Sequence, residues 1–563
     1  MDAPRIVIVG GVAAGPKAAA KITRLAPEAD VTVVEKGVFL SYAGCGLPYY
    51  VSGVVEDQDE LMSTPAGALR DEVFFLDVKH VHVHSRTMAT AVDRAARRVR
   101  VRDLTTGEER DLPYDRLILA TGAEPIMPPV PGIDLENVVG LHGLEDGERL
   151  RALLSPHAAK DVVIVGGGLI GVEVTEALAH SGCRVTLVEM LPQILPMFDA
   201  EMAAHVTAHM ESHGVKVLAG TRVSAMRAAD GSAAVGSVVT TAGTLPADFV
   251  VVAAGVRPKV DLAEAAGLAV GPTGAIAVDD HLRTSDPDIF AIGDCAESRH
   301  LVTGKPAWVP LGSTANKHGR VAAINAVGGD DTFPGILGTS ICRVFDFNVA
   351  RTGLTETEAR REGYDVEIAL TPAPDKPHFM PDARPLMLKT VSDRATRRLL
   401  GMQAVGPGDA AKAIDVAAMA LHAGLTMDQL SKVDLAYAPP YSPAMDNVIT
   451  ASDVVRNKLD GVCEGVPPAE VRRRMDAGDV FLLDVRSPRE VAEIAIPGAV
   501  NIPLGRLRER LDEVPVDKEV IAFCKISLRG YEAALVCSAA GRDAKFLDGG
   551  IAMWPYEKVK GGG

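Results

Sequence analysis

The sequence predicts an α/β fold, and two observations carry the prediction. A strand, glycine turn, helix and second strand occur in that order twice within the first 330 residues, each second strand ending in an acid, Glu35 or Glu189. A further apolar strand, in TSDPDIFAIGDCAE, ends on Gly293-Asp294.

Copy one reads RIVIVGGVAAG, a helix, ADVTVVEK with Glu35-Lys36, and later RLILATGAEP with Thr121-Gly122. Copy two reads DVVIVGGGLIG, a helix, CRVTLVEM with Glu189, and later FVVVAAGVRP with Gly255. This is the fingerprint of a Rossmann-like dinucleotide-binding domain, present twice. The first glycine (Gly10, Gly166) permits the tight turn, the next lets backbone approach a pyrophosphate, and the third (Gly15, Gly171) lets helix pack on strand. Helix N-terminal amides then receive the phosphates, which in copy one places Ala13 at the cofactor. Copy two is complete at Gly166, Gly168 and Gly171, whereas Val12 stands where copy one would have its second glycine. The acid accepts ribose hydroxyls and would repel a 2′-phosphate, so NADH is expected over NADPH. The Gly293-Asp294 segment resembles the second flavin motif of two-dinucleotide flavoproteins, in which the aspartate binds the ribityl chain. Copy one is therefore assigned to FAD and copy two to NADH.

At 563 residues the chain is long enough for about four domains, each with its own core. A net charge of -16 and a pI near 5.4 disfavour nucleic acid or an anionic membrane as the main partner. The opening MDAPRIVIVGG runs straight into a strand and a glycine turn, with no charged n-region, h-region or cleavage site. No uninterrupted apolar stretch reaches the roughly 18 residues of a membrane helix, and a cytoplasmic location is expected. Seven cysteines at scattered positions match neither a disulfide framework nor a CxxC zinc site.

Two of them sit in loops suited to a thiolate: Cys45 in SYAGCGLPYY and Cys524 in CKISLRG. Cys45 has no partner at CxxxxC spacing, because Tyr50 occupies that place. A single thiol must store electrons as a mixed disulfide, a persulfide or a sulfenic acid. The small neighbours Ala43, Gly44 and Gly46, with Ser41 as a hydroxyl donor, predict a lowered pKa. On the first helix Lys17, Lys21 and Arg24 share one face, being spaced i, i+4 and i+7.

The order of these motifs resembles the pyridine nucleotide disulfide oxidoreductases, and SYAGCGLPYY resembles their coenzyme A disulfide reductase branch. Branch-like stretches continue through GSTANKHGRVAAINAVGG, GTSICRVFDFNVARTGLTE and YAPPYSPAMD, the last two resembling an α+β dimerisation domain. The resemblance implies a homodimer, FAD and NADH as cofactors, and a first-helix face (Lys17, Lys21, Arg24, with Ser41 nearby) that meets the phosphates of coenzyme A. It also implies that Tyr437, in YAPPYS, reaches the neighbouring subunit's site as a proton donor. The chain departs from the branch at Gly44, Phe379-Met380 and Pro443-Ala444-Met445. Ala13 stands where related oxidases and peroxidases carry a histidine, which weakens peroxide and oxygen chemistry.

Near the C-terminus VFLLDVRSPREV, IPGAVNIPL, VIAFCKISLRGYEAA and FLDGGIAMW resemble a rhodanese α/β domain in order and spacing. Four residues separate Cys524 from Arg529, and their amides, with Lys525, would form a nest for a thiolate or its persulfide. Ser527 replaces a common glycine, and Ile494-Ala495 a common Gly-His. The expected domains are FAD-binding at 1–120 and 258–330, NAD-binding at 121–257, dimerisation at 331–451, a linker at 452–466 and rhodanese at 467–563.

The remaining features carry less. His80, His82 and His84 in KHVHVHS share a strand face at a spacing that can chelate zinc, but no fourth ligand is evident and no metal is expected. The run DRAARRVRVRD reads as a solvated turn and strand, and Cys183, Cys295, Cys342, Cys463 and Cys537 as packing residues. The expected activity is an FAD-dependent, NADH-linked reduction of persulfides or polysulfides, with coenzyme A persulfide a candidate substrate. Cys45 is its reductive centre and Cys524 its sulfane-sulfur port. A coenzyme A disulfide reductase, an NADH oxidase or peroxidase, and a sulfur-carrier or redox-sensing flavoprotein are the alternatives.

Overall fold

The computed structural model describes residues 3–154 and 160–560. They form two compact units, one of residues 1–194 and 214–336, the other of 195–213 and 337–563.

In the first unit, five parallel strands stand in the order Ile289–Ala291, Arg116–Leu119, Arg5–Val9, Asp30–Val34, Val81–His84. The inner strands read as continuous apolar runs because both sheet faces are covered. The helix Ala14–Leu25 buries Ala14, Ala18, Ala19 and Ile22 and leaves Lys17 and Arg24 in solvent. It lies close against the helix Gly312–Ala326, where a Cβ on Gly319 would fall 2.6 Å from the Ala14 carbonyl oxygen.

The DRAARRVRVRD run supplies the turn and middle strand of a three-stranded antiparallel sheet. Val99 and Val101 point inward, and Arg100 and Arg102 point outward to Asp111 and Glu109. The expected three-histidine strand face is not formed. His80 ends the helix Glu72–Lys79 in a left-handed conformation (φ 54), so only His82 and His84 lie on the strand.

A second parallel sheet repeats the first in the order Lys216–Leu218, Arg184–Val188, Asp161–Val165, Phe249–Val252, Val138–Val139. An antiparallel pair, Ala123–Pro125 with Val256–Pro258, brings the two chain crossings between the sheets side by side.

The second unit carries an antiparallel sheet ordered Ser340–Val344, Phe347–Gly353, Leu399–Gly406, Pro385–Asp393, Val366–Pro374. Every residue of Leu399–Gly406 is buried. Lys389, 1% exposed, lies 3.0 Å from Asp199 and 2.8 Å from Glu356, and also pairs with Glu201. Burial alone would lower its pKa; the three carboxylates overcome that and raise it. Asp199 also accepts from Gln403 Nε2 and from the Glu356 amide, so one buried cluster ties the segment 195–213 to the sheet.

The same unit holds a five-stranded parallel sheet ordered Gly465–Val466, Ala544–Leu547, Glu519–Phe523, Val480–Asp484, Val500–Asn501. Within 452–466, expected as a linker, the first half is helical as the end of Asn447–Leu459. Among the described residues no helix is long and apolar enough to cross a membrane.

Candidate functional site

The two glycine turns match atom for atom. Gly10 has φ +119 and a Cβ there would lie 2.1 Å from the Ala120 carbonyl oxygen; Gly166 has φ +111 and would meet the Ala253 oxygen at 2.2 Å. A Cβ on Gly15 or Gly171 would fall 1.9 Å from the oxygen of Gly10 or Gly166. These four glycine positions therefore exclude a side chain. A Cβ on Gly168 would meet no protein atom, which is the open backbone a pyrophosphate needs. Val12 and Ala13 are half-buried at the corresponding turn.

Each acid is anchored by its own turn. Glu35 accepts from the amides of Gly11 (2.6 Å) and Gly37 (2.7 Å), and Glu189 from those of Gly167 (2.6 Å) and Leu191 (2.7 Å). An ionised carboxylate has about four acceptor positions, so capacity remains for ribose hydroxyls. Lys36 lies beside Lys259, whose pKa falls through burial and then through that neighbour. Thr121 Oγ1 donates to the Lys259 carbonyl, and Gly122 and Gly255 take φ +73 and +104 where the chain crosses between the sheets.

Gly293 (φ +71) brings the Gly-Asp turn against Ala14 and Ala315, and its amide donates to Nδ1 of the buried His318. Asp294 follows, its carboxyl pushed up to about 6 by burial. A desolvated carboxylate facing hydroxyl donors fits a ribityl chain, so these residues suit FAD. Gly10, Val12, Ala13, Gly15, Glu35, Lys36, Ser41, Thr121, Gly122, Gly293 and Asp294 would hold it; when bound, it would pass a hydride equivalent from nicotinamide to sulfur.

Cys45 is exposed on the single-turn helix Gly44–Gly46. Its Sγ is 3.9 Å from where a Cβ on Gly312 would stand, beside the first residue of the helix Gly312–Ala326. That N-terminus favours a thiolate. Against the expected lowering, desolvation by the surrounding loops first, then the carboxylates of Glu173 and Asp294, push the thiol up, although its surface is open to solvent. The Ser41 amide donates to the Gly11 carbonyl and its hydroxyl faces Arg70 at 3.5 Å; no described bond joins it to Cys45.

Glu173 escaped the sequence reading. It sits on the helix Leu169–His180, and burial, followed by Glu176, raises its carboxyl to about 7. The available signal was an acid inside the otherwise apolar run LIGVEV. Lys17, Lys21 and Arg24 form no described ion pair, so their charge is uncompensated.

In the second unit, Cys524 follows the strand Glu519–Phe523 directly and is 1% exposed. No described hydrogen bond uses the amides of Lys525, Ile526, Ser527, Leu528 or Arg529, which leaves five donors in one loop. Ser527 takes φ 83, which explains why glycine is common there. Arg529 donates to both Glu490 oxygens (2.9 and 2.6 Å), and that pair, with Cys524 adjacent, raises its pKa. Glu490 was also missed, although Ser487 and Glu490 spell a capping box at the start of Pro488–Glu493. Behind the loop, a Cβ on Gly550 would fall 2.6 Å from the Cys524 oxygen, which accepts from the Ile551 amide.

Residues 4–319 match the pyridine nucleotide-disulphide oxidoreductase family and 339–449 its dimerisation domain. The chain belongs to this family. Residues 467–556 match a rhodanese-like domain. The α/β architecture and the flavin and nicotinamide cofactors of the sequence reading stand with the family.

A solved NAD-dependent persulfide reductase from A. fulgidus is 44% identical, with a TM-score of 0.93 over 98% of this chain and 100% of that one. The reduced CoADR-RHD of Bacillus anthracis is 36% identical, with a TM-score of 0.91 over 98% of both chains. The NAD(P)H coenzyme A polysulfide/persulfide reductase of Pyrococcus horikoshii is 38% identical over 80% of this chain and 98% of its own.

In the family's dimerisation domain Tyr437 is 55% exposed and lines a cleft with Phe379, Pro443, Ala444 and Met445. Phe379, Pro443, Ala444 and Met445, four of the positions at which the chain departs from the coenzyme A disulfide branch, thus line one cleft. Of the other cysteines, Cys295, Cys342 and Cys537 are buried and Cys183 and Cys463 half-buried.

Proposed function

We propose that the chain is an FAD-dependent, NADH-linked reductase of persulfides and polysulfides, with coenzyme A persulfide as a candidate substrate. The carrying observation is a lone Cys45 at the flavin motifs, in a chain that also holds Cys524 in an amide-rich loop. The names of the A. fulgidus and P. horikoshii relatives support the same reading.

In the proposed reaction the Cys45 thiolate attacks the carbon-bound sulfur of a persulfide RSSH. The S–S bond breaks, HS⁻ leaves, and Cys45 is joined to RS in a mixed disulfide. Two electrons and a proton, originating in NADH, then cleave that bond to the Cys45 thiolate and RSH. With a second proton taken up by HS⁻, the sum is RSSH + NADH + H⁺ giving RSH + H₂S + NAD⁺. Lys17, Lys21 and Arg24 would hold phosphates of a coenzyme A carrier. The dimerisation-domain match supports a homodimer, in which Tyr437 would serve the partner's site as proton donor. Cys524, Arg529 and the loop amides would receive sulfane sulfur. A cytoplasmic location remains part of this reading.

The test is NADH oxidation measured with coenzyme A persulfide, coenzyme A disulfide, polysulfide, peroxide and oxygen. Persulfide or polysulfide should turn over fastest, and Cys45→Ser should abolish that turnover while the flavin still reduces. Faster turnover of the disulfide would replace this reading with a coenzyme A disulfide reductase.

A further inference from the structure

The helix Ala200–Ser212 and the residue that follows it carry His209 and His213 one turn apart. The tight turn between the strands Ser340–Val344 and Phe347–Gly353 carries Asp346. One ligand atom from each of the three lies within 4.8 Å of the other two.

The local bonding leaves these atoms available. His213 Nδ1 is 3.0 Å from the His209 carbonyl, an acceptor, so Nδ1 carries the proton and Nε2 the lone pair. A second backbone carbonyl, that of Val344, accepts from the His209 ring. His209 Nε2 is buried and lacks a geometrically sound hydrogen bond, yet it stands 2.8 Å from Asp346 Oδ1. At that separation a proton is shared between the two atoms in the ion-free protein, and a metal ion entering the site takes its place.

Both rings are held in place. His209 stacks on Phe347 with centroids 3.6 Å apart and His213 on Phe345 at 4.2 Å. Phe345 takes φ 55, a costly conformation for a bulky residue, in the turn that presents Asp346. Carbonyl bonds fixing the ring tautomers and packed walls are the outer-shell features of a metal centre.

We propose that His209, His213 and Asp346 form a binding site for a divalent transition-metal ion of the zinc class, with solvent completing its coordination. Two imidazoles and a carboxylate suit such an ion, whereas calcium or magnesium would want oxygen alone. Opening the Nε2 to Oδ1 gap by about 0.5 Å admits zinc at ordinary bond lengths near 2 Å. The ion would clip the end of a helix to a strand turn and stabilise that unit by mass action. It uses none of the seven thiols.

The flavin-loaded protein, with accessible thiols alkylated, is titrated with Co²⁺. One ion per chain should bind with visible ligand-field bands and no thiolate charge-transfer band, yield to Zn²⁺, and raise the thermal midpoint. His213→Ala and Asp346→Asn alter exposed side chains; each should weaken binding at least about tenfold, and together they should abolish it. Absence of binding, or undiminished binding and thermal shift in the double variant, would overturn the site.

Discussion

Lys458 Nζ lies 2.7 Å from Asp548 Oδ2, and neither side chain is more than 2% exposed. Lys458 belongs to the helix Asn447–Leu459 and also donates to the Ile368 carbonyl at 2.6 Å; Asp548 immediately precedes the Gly549-Gly550 turn behind Cys524. One buried cation thus joins the strand Val366–Pro374 to the segment that supports the Cys524 loop. Removing it leaves an unpaired buried carboxylate, which costs about 3–5 kcal/mol. Lys458→Met should lower denaturant stability by that amount, and adding Asp548→Leu should restore most of it. Equilibrium unfolding checks both, and a single-variant loss under about 1 kcal/mol would count against a coupled pair.

Gly550→Ala targets the same support from the backbone side. The residue has φ +59, and the new methyl would press on the oxygens of Cys524 and Lys525 at 2.6 and 2.8 Å. A loss of about 1–3 kcal/mol is expected, with a displaced loop and slower sulfane-sulfur transfer from Cys524 to cyanide. NADH reduction of the flavin should proceed at the parent rate.

A pH dependence follows from Glu173, whose carboxyl titrates near 7 and whose charge opposes ionisation of Cys45. Below about pH 6 the group is protonated and its replacement changes little. Above pH 7 Glu173→Gln removes a negative charge, so alkylation of Cys45 in the flavin-loaded enzyme should accelerate, on the order of a few-fold. The folded state also binds the Glu173 proton more tightly than the unfolded chain does. Parent stability should therefore fall as pH rises from about 4.5 to 7, by on the order of 3 kcal/mol, and the glutamine variant should lack that decline.

In the proposed nicotinamide site, Glu189→Ala would remove the acceptor for ribose hydroxyls and the charge that would meet a 2′-phosphate. The KM for NADH should rise about tenfold, a loss of roughly 1.4 kcal/mol, while the NADPH to NADH ratio of kcat/KM increases. Steady-state kinetics with both nucleotides check this. An unchanged ratio would mean that selectivity lies elsewhere.

The glycine turns and the acids were legible in the sequence because backbone geometry constrains residue type there. Gly10, Gly15, Gly166 and Gly171 stand where a Cβ would strike a carbonyl oxygen. The environment of Cys45 was not legible. The upward push on its pKa comes from desolvation by surrounding loops and from Glu173 and Asp294, which are 128 and 249 positions further along the chain. Local spacing carries no record of such approaches. Glu490 lay between the two cases, announced as a helix cap but not as the partner of Arg529. His80 misled because alternation suggested a strand where a left-handed residue ends a helix.

The cluster around Lys389 bears on how the chain can be dissected. A fragment beginning at residue 337 would retain Glu356 but lose Asp199 and Glu201, two of the three carboxylates around a lysine 1% exposed to solvent. Such a piece would inherit an undercompensated charge in its interior, however cleanly its ends were chosen. Supplying residues 195–213 in trans as a peptide should rescue it, making this stretch a natural half of a split-protein pair.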